Sequence, residues 1–327
     1  MTVLVAIYSP FAAWNIPDSH VERLRREFPH HQFVHARHEG DMPSSLAATE
    51  IAFASELREP HFQAAPSLRW VHSPAAGVGG MLSPAVVKGP VILSNSRGMS
   101  GETIAEHVLA LALALFRKFP LAMRAQRAHE WTQDEAMQPP PLRMIKGTPV
   151  LLVGLGGIGA ACAARFAALG AHVTAVRRRS GEPAPPGVSA VHPASDLLQL
   201  LPAAELIVVA APQTASTRQM IGRQQLAAMR RDAILINVSR GKLVDEAALT
   251  EALWDGAIAG AGLDVFEHEP LDTASPLWDL PNVIITPHTS GFRPDHWDAA
   301  TDLFAENLHR FDRGEPLLNV VDKHEGY

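Results

Sequence analysis

Val153-Gly154-Leu155-Gly156-Gly157-Ile158-Gly159 is the stretch on which the fold of this chain turns. It follows the apolar run Val150–Val153 and opens an alanine-rich helical pattern that closes at Leu169-Gly170. In a strand–turn–helix unit the three spaced glycines have separate tasks. Gly154 permits the tight turn, Gly156 lets the backbone approach a pyrophosphate, and Gly159 allows the helix to pack close to the strand. The helix start then offers unpaired N–H groups to the anion. Glycines alone serve many turns, but this context makes residues Gly154, Leu155, Gly156, Gly157, Ile158 and Gly159 a candidate dinucleotide cradle.

Working outward, apolar runs alternate with helical patterns, the signature of a parallel α/β sheet. After the glycine turn, strands are expected at His172–Val176, Leu206–Ala211, Ile234–Val238, Ala259–Asp264 and Val283–Thr286. Before it, a second series is expected at Val3–Ile7, Gln32–His35, Ile51–Ala54, Trp70–His72 and Val91–Leu93. Between the series lies a long helix from Ser100 to Phe119, apolar nearly all round from Val108, then a linker at Gln133–Met144 that contains Pro139-Pro140-Pro141. An amphipathic helix over Asp295–Arg313 carries Trp297, Thr301, Phe304, Leu308 and Phe311 on one face, with Gly314 as its C-cap. The fold class is therefore α/β, with two doubly wound parallel-sheet domains.

Bulk properties narrow the function. A chain of 327 residues suits two domains, and 47% hydrophobic against 19% charged residues gives it material for packed cores. A net charge of −6 without a basic stripe speaks against nucleic acid. The apolar run Val108–Phe116 is too short to span a bilayer. The N-terminus lacks the pattern of an export signal, and the single cysteine, Cys162, excludes an internal disulfide framework. A cytoplasmic protein without membrane or nucleic-acid partners is expected.

The chemistry-bearing residues follow strands. Where nicotinamide–adenine enzymes place an acid about 20 residues past the first glycine, this chain reads Val176-Arg177-Arg178-Arg179-Ser180. Arg177 and Arg178 could pair with a 2′-phosphate, so NADP(H) is expected, with NAD(H) as the alternative. Arg240, within Ile236–Asp245, stands at the C-terminal edge of a strand, where ligands bind in open sheets, and can grip a carboxylate bidentately. Glu269, in Gly262–Pro270, and His288, in Ile285–Gly291, lie past the next two strands. A carboxylate beside an imidazole favours the protonated ring and fixes its tautomer, which suits a general acid. Alone, Arg240 reads equally well as a structural salt bridge, and Glu269 and His288 are each more often structural than catalytic.

Over nearly its whole length the chain resembles the D-isomer-specific 2-hydroxyacid dehydrogenase family. The resemblance rests on the glycine turn, Ala211–Thr217, Ile236–Glu246, Gly262–Leu271, Ile285–Gly291 and the loop Ser73-Pro74-Ala75-Ala76-Gly77-Val78. It implies a Rossmann nucleotide domain over 99–288 inserted into a flavodoxin-like substrate domain made of 1–98 and 289–327, an active site in the cleft between them, and a homodimer. It gives Arg240 the substrate carboxylate and carbonyl, His288 the acid–base role, and Glu269 the orientation of His288. Backbone N–H groups of Ala76, Gly77 and Val78 would hold the carboxylate. Asp264 would hold the nicotinamide carboxamide, and Pro212, Thr217 and Val238 would line the cofactor groove. Two departures stand out: Gly79 replaces an aspartate common after the Gly-Val of the substrate loop, and the arginine cluster replaces the ribose-binding acid.

Within the family, the terminal stretch Val320–Tyr327, the arginine cluster and Ser275-Pro276-Leu277-Trp278 are similar to bacterial glyoxylate/hydroxypyruvate reductases that prefer NADPH. The expected reaction is hydride transfer from NADPH to a small 2-oxo acid, giving the D-2-hydroxy acid. The alternatives are a different 2-hydroxy acid with NAD, or a dinucleotide-sensing regulatory protein, since fold does not fix function. His30, His31, His35 and His38 cluster in one tract. Strand alternation sets His31 and His35 on one face and His38 on the other, so they are read as surface histidines and no metal is expected.

Overall fold

The computed structural model describes residues 1–42 and 46–326; Tyr327 of the terminal stretch lies outside the described residues. The chain divides into two compact units. One joins Met1–Met99 to the segment that starts at Arg293, and the other is Ser100–Phe292.

The first unit holds five parallel strands: β1 (Thr2–Ala6), β2 (Gln32–His35), β3 (Ile51–Ala54), β4 (Trp70–Ser73) and β5 (Ile92–Asn95), in the order β2-β1-β3-β4-β5. All residues of β3 and β4 are buried, as expected of a sheet covered on both faces. Alternation sends Leu4, Ala52, Val71 and Leu93 to one core and Val3, Val5, Ile51, Phe53 and Trp70 to the other. The second core is closed by the helix His296–Arg313, whose Phe304 stacks on Phe53 at 4.4 Å and on Trp70 at 5.3 Å between ring centroids. Gly314 caps this helix at φ 68°.

The second unit holds seven parallel strands: β6 (Pro149–Val153), β7 (His172–Arg177), β8 (Ala190–Pro193), β9 (Leu206–Val209), β10 (Ile234–Asn237), β11 (Gly260–Leu263) and β12 (Val283–Ile285). Their order, β12-β11-β10-β9-β6-β7-β8, is the doubly wound dinucleotide-fold arrangement with one strand added at an edge. The order reverses beside β6, so the crevice at that switch point lies at the glycine turn. Among the described residues, no helix is long and apolar enough to cross a membrane.

Three local expectations are corrected. The helix expected to run from Ser100 to Phe119 spans Gly101–Phe116, and a separate helix occupies Phe119–Ala128. The break is Pro120: its ring would clash with the carbonyl four residues earlier, that of Phe116. Lys118 turns the chain through a left-handed conformation at φ 54°. The linker expected at Gln133–Met144 starts with a short helix, Gln133–Met137, and becomes irregular only at the prolines. Finally β8 was not among the expected strands. It is a half-exposed edge strand of four residues ending in proline, so it lacks the apolar run that marks buried strands.

Candidate active site

The glycine turn is formed as its spacing demands. Gly154 has φ +103°, and a Cβ there would stand 2.6 Å from Ala211 Cα and N. At Gly159 an added Cβ would come within 2.3 Å of Gly154 O, so helix and turn touch through backbone alone. Gly156 differs: an added Cβ would meet nothing within 4 Å. Gly156 caps the helix Gly157–Ala168, so this open space faces the helix N-terminus. A pyrophosphate that must approach the backbone needs both features, and the cradle fits a dinucleotide.

At the next strand exits, Arg240 follows β10. Asn237 shapes the turn: its Nδ2 donates to Arg240 O at 3.1 Å and its Oδ1 accepts from Ser239 N at 3.1 Å. The Ser239 hydroxyl donates to Ala211 O, tying this loop to the one after β9. Arg240 Nη1 donates to Ser239 O at 2.7 Å. Burial lowers the guanidinium pKa from its ordinary value, opposed by the charge of Glu269, and the group stays cationic. Gly241 sets the neighbouring loop: a Cβ there would stand 1.9 Å from the Phe266 carbonyl carbon. Only glycine lets the loop carrying Arg240 lie against the loop carrying Glu269.

Glu269 and His288 form a hydrogen-bonded pair, with His288 Nδ1 2.6 Å from Glu269 Oε2. The other carboxylate oxygen, Oε1, accepts from Phe266 N at 2.9 Å. Burial pushes the Glu269 carboxyl up, but the His288 hydrogen bond, the Phe266 N–H and the charges of His288 and Arg240 outweigh it and hold the pKa below 4.5. Because the folded value is depressed, this stabilisation is present above the ordinary glutamate pKa and is lost as the pH falls through the lower folded value.

Asp264 stands behind the pair, fully buried. Its carbonyl accepts from His288 N at 2.9 Å. One carboxylate oxygen accepts from Thr286 Oγ1 at 2.6 Å and Thr289 N at 2.9 Å; the other accepts from Ser290 N at 3.0 Å. His288 lies at φ 53°, an uncommon conformation for a side chain of its size, and these bonds on either side hold it there. The carboxylate expected to hold the nicotinamide carboxamide is thus engaged by the His288 segment. Its partner Thr286 also meets His107 Nε2 at 3.0 Å.

The arginine cluster is only partly turned outward. Arg177 donates through Nη2 to the carbonyls of Glu182 and Pro183, and its Nη1 is 3.7 Å from the Glu182 carboxylate. Arg179 pairs with the same carboxylate at 3.4 Å. Arg177 is therefore mostly buried in its own loop, whereas Arg178 and Arg179 are exposed. Thr217 Oγ1 donates to Pro212 O at 2.7 Å and accepts from Thr214 N at 2.8 Å, which closes the loop after β9. The Val238 side chain is buried in the core, and its N–H donates to Val209 O at 3.4 Å.

In the first unit the loop Ala76-Gly77-Val78 follows β4. Ala75 O accepts from Ser96 N at 3.2 Å and Ala76 O from Asn95 Nδ2 at 2.5 Å. A trans peptide points its N–H opposite its carbonyl, so the N–H groups of Ala76 and Gly77 are directed outward. A buried polar chain supports this arrangement. Trp70 Nε1 donates to Ser94 Oγ at 2.8 Å, Ser94 Oγ lies 2.7 Å from His72 Nδ1, His72 Nε2 lies 3.3 Å from Ser96 Oγ, and Ser96 Oγ donates to Ser73 O at 3.0 Å. Burial pushes the His72 pKa down to about 3, so the ring is neutral. One donor direction then runs through all four links, with the ring proton on Nε2. Asn95, Ser96 and His107 carry no signal in the sequence, because their partners lie far away along the chain, and Gly241 and Thr286 stand there only as members of longer motifs.

A doubly wound sheet whose switch-point glycine turn fits a dinucleotide defines the class of NAD(P)-dependent oxidoreductases, and an acid–base pair at the same edge suits that chemistry. Within this class the chain belongs to the D-isomer-specific 2-hydroxyacid dehydrogenase family: the family's NAD-binding domain matches residues 109–290. A glyoxylate reductase of Korarchaeum cryptofilum is 37% identical over 268 residues, covering 80% of this chain and 78% of the relative. A D-isomer specific 2-hydroxyacid dehydrogenase from Xanthobacter autotrophicus Py2, solved with NADPH and MES, aligns over 100% of this chain and 99% of its own at 33% identity and a TM-score of 0.82. An NADPH-dependent glyoxylate/hydroxypyruvate reductase from Sinorhizobium meliloti, solved with NADP and malonate, aligns over 99% of this chain and 98% of its own at 31% identity and a TM-score of 0.80.

Proposed function

We propose that this protein reduces a short 2-oxo acid of the glyoxylate or hydroxypyruvate type to the D-2-hydroxy acid with NADPH. The observation that carries the reading is the 2.6 Å contact between His288 Nδ1 and Glu269 Oε2 together with the half-buried cation Arg240. The dinucleotide, held by residues 154–159, supplies the hydride when bound. With Nδ1 held by Glu269, proton transfer to the carbonyl oxygen falls to Nε2 of His288. Arg240 binds the substrate's carboxylate and carbonyl, stabilising charge that grows on the oxygen. The outward N–H groups of the 76–78 loop bind the carboxylate, and Met1–Met99 with the C-terminal segment acts as the substrate domain. The test is a panel of 2-oxo acids assayed with NADPH and NADH. Turnover of a short 2-oxo acid is the expected result, and dinucleotide binding without turnover on any of them would favour a sensor instead.

Two predictions arise here. Asn95→Ala frees the Ala76 carbonyl, and loss of one such buried bond costs about 1–3 kcal/mol. KM for the 2-oxo acid is expected to rise roughly tenfold, with kcat and the KM for NADPH little changed; steady-state kinetics with each substrate varied checks this. Arg177→Asp with Arg178→Ser is expected to weaken NADPH relative to NADH by about 10–100-fold, the scale of a charge-assisted phosphate contact. Arg178→Ser alone should give most of that shift, since Arg178 is the more exposed of the two side chains. An unchanged cofactor ratio in the double variant would remove both arginines from the selection.

The reading extends to a cytoplasmic homodimer. The exposed Phe119, Met123, Met137 and Met144, all on the segment between the long helix and β6, support the dimer. Light scattering of the purified chain tests it.

A further inference from the structure

We propose that His30, His31 and Asp312 form a site for a divalent transition-metal ion with a preference for nitrogen ligands, such as zinc or nickel. His30 and His31 lie in the turn between the helix Asp18–Glu27 and β2, before the strand alternation begins. Both rings can therefore face the same way, and their centroids are 4.3 Å apart. His30 Nε2 lies 3.0 Å from Asp312 Oδ2, and His31 Nε2 lies 2.9 Å from the same oxygen and 3.0 Å from Oδ1. The three ligand atoms all lie within 4.8 Å of one another, the one grouping of this kind among the described residues. A tetrahedral ion with bonds of about 2.0–2.2 Å holds its ligands roughly 3.3–3.6 Å apart. The three side chains thus reach that geometry with small shifts. Two imidazoles and one carboxylate suit zinc, nickel or copper and not magnesium or calcium.

The site is anchored on one side and open on the other. The His31 side chain is 1% exposed, beside Phe28 and Phe33, while the His30 side chain is 61% exposed and leaves room for water at the remaining position. His31 Nδ1 is buried without a hydrogen-bond partner. Its ring proton therefore sits on Nε2 when Asp312 is the acceptor, and an ion at Nε2 moves that proton to Nδ1, where no acceptor waits. A missing outer partner of this kind costs about 10–100-fold in affinity, so micromolar binding is expected. The ion would join the two separate chain segments of the first unit, since His31 and Asp312 are 281 positions apart. Binding to the folded form alone would stabilise that unit.

The test uses the full chain without an affinity tag, stripped with a chelator and titrated with Zn²⁺ against a chromophoric competitor. One ion per chain at micromolar Kd is expected, with a Tm rise of several degrees at roughly 100-fold excess over Kd. Co²⁺ in the same site should give the strong visible absorption of four-coordination. His30→Ala, at an exposed position, and Asp312→Asn should each weaken Zn²⁺ binding at least tenfold. His38→Ala, a neighbouring surface histidine, should leave it unchanged. Equal Zn²⁺ binding by the stripped parent and the His30→Ala/Asp312→Asn double variant, or no binding below millimolar, would overturn the proposal.

Discussion

His288→Gln is expected to lower kcat for 2-oxo acid reduction by about 10²–10⁴-fold, the usual worth of a positioned acid–base group. Glutamine cannot deliver a proton to the carbonyl oxygen, although its amide can still bond to Glu269. The dinucleotide cradle at residues 154–159 is untouched, so the Kd for NADPH should move less than threefold. Stopped-flow and steady-state kinetics separate the two readouts. A kcat within tenfold of the parent would remove His288 from the chemistry, and loss of NADPH affinity alone would make it a cofactor-loop residue. His288 owes its place to Asp264, which accepts from the N–H groups of His288, Thr289 and Ser290 and from the Thr286 hydroxyl.

Gly241→Ala is expected to be the most damaging single methyl group in the second unit. The added carbon would stand 1.9 Å from the Phe266 carbonyl carbon and 2.0 Å from its oxygen, both backbone atoms that no rotamer change can move. Overpacking of this severity costs about 3 kcal/mol or more, a Tm fall of roughly 6–12 °C for a unit of this size. Whatever folded protein remains should turn over poorly, because relief of the clash separates the loop of Arg240 from that of Glu269. Gly181→Ala is the control: its added Cβ meets nothing within 4 Å, and its Tm should stay within about 1 °C of the parent. A Gly241→Ala protein with the parent's Tm and kcat would show that the two loops are not locked by this contact.

What could be read from the sequence was what local chemistry controls. The glycine turn is legible because strand, turn and helix all lie within about 20 residues. The positions of Arg240, Glu269 and His288 are legible because a strand end can be found without knowing which strand lies beside it. Their pairing is legible only through the family resemblance: His288 and Glu269 meet because β11 and β12 are neighbours in the sheet, a fact of topology. Asp264 shows the same boundary. Its motif marked it for the cofactor, yet its three donors come from a segment 22 to 26 residues onward that only the register brings close. The arginine cluster looked free of carboxylates, and Glu182 folds back onto it from the following loop. The polar residues His72, Ser94, Asn95 and Ser96 lie in and just past the ends of β4 and β5, and the sequence offers no reason for their burial. They are buried because each finds a partner on the adjacent strand or loop.

The stacking of Phe304 between Phe53 and Trp70 also has a bearing on synthesis. As the chain leaves the ribosome, β1 to β5 emerge first but cannot cover their Phe53–Trp70 face, because the helix that covers it is translated about 200 residues later. Residues 100–292 need no such wait, since all seven of their strands are contiguous in translation order. The part of the protein made first is therefore finished last, and during that interval an aromatic surface stands uncovered for chaperones to shield.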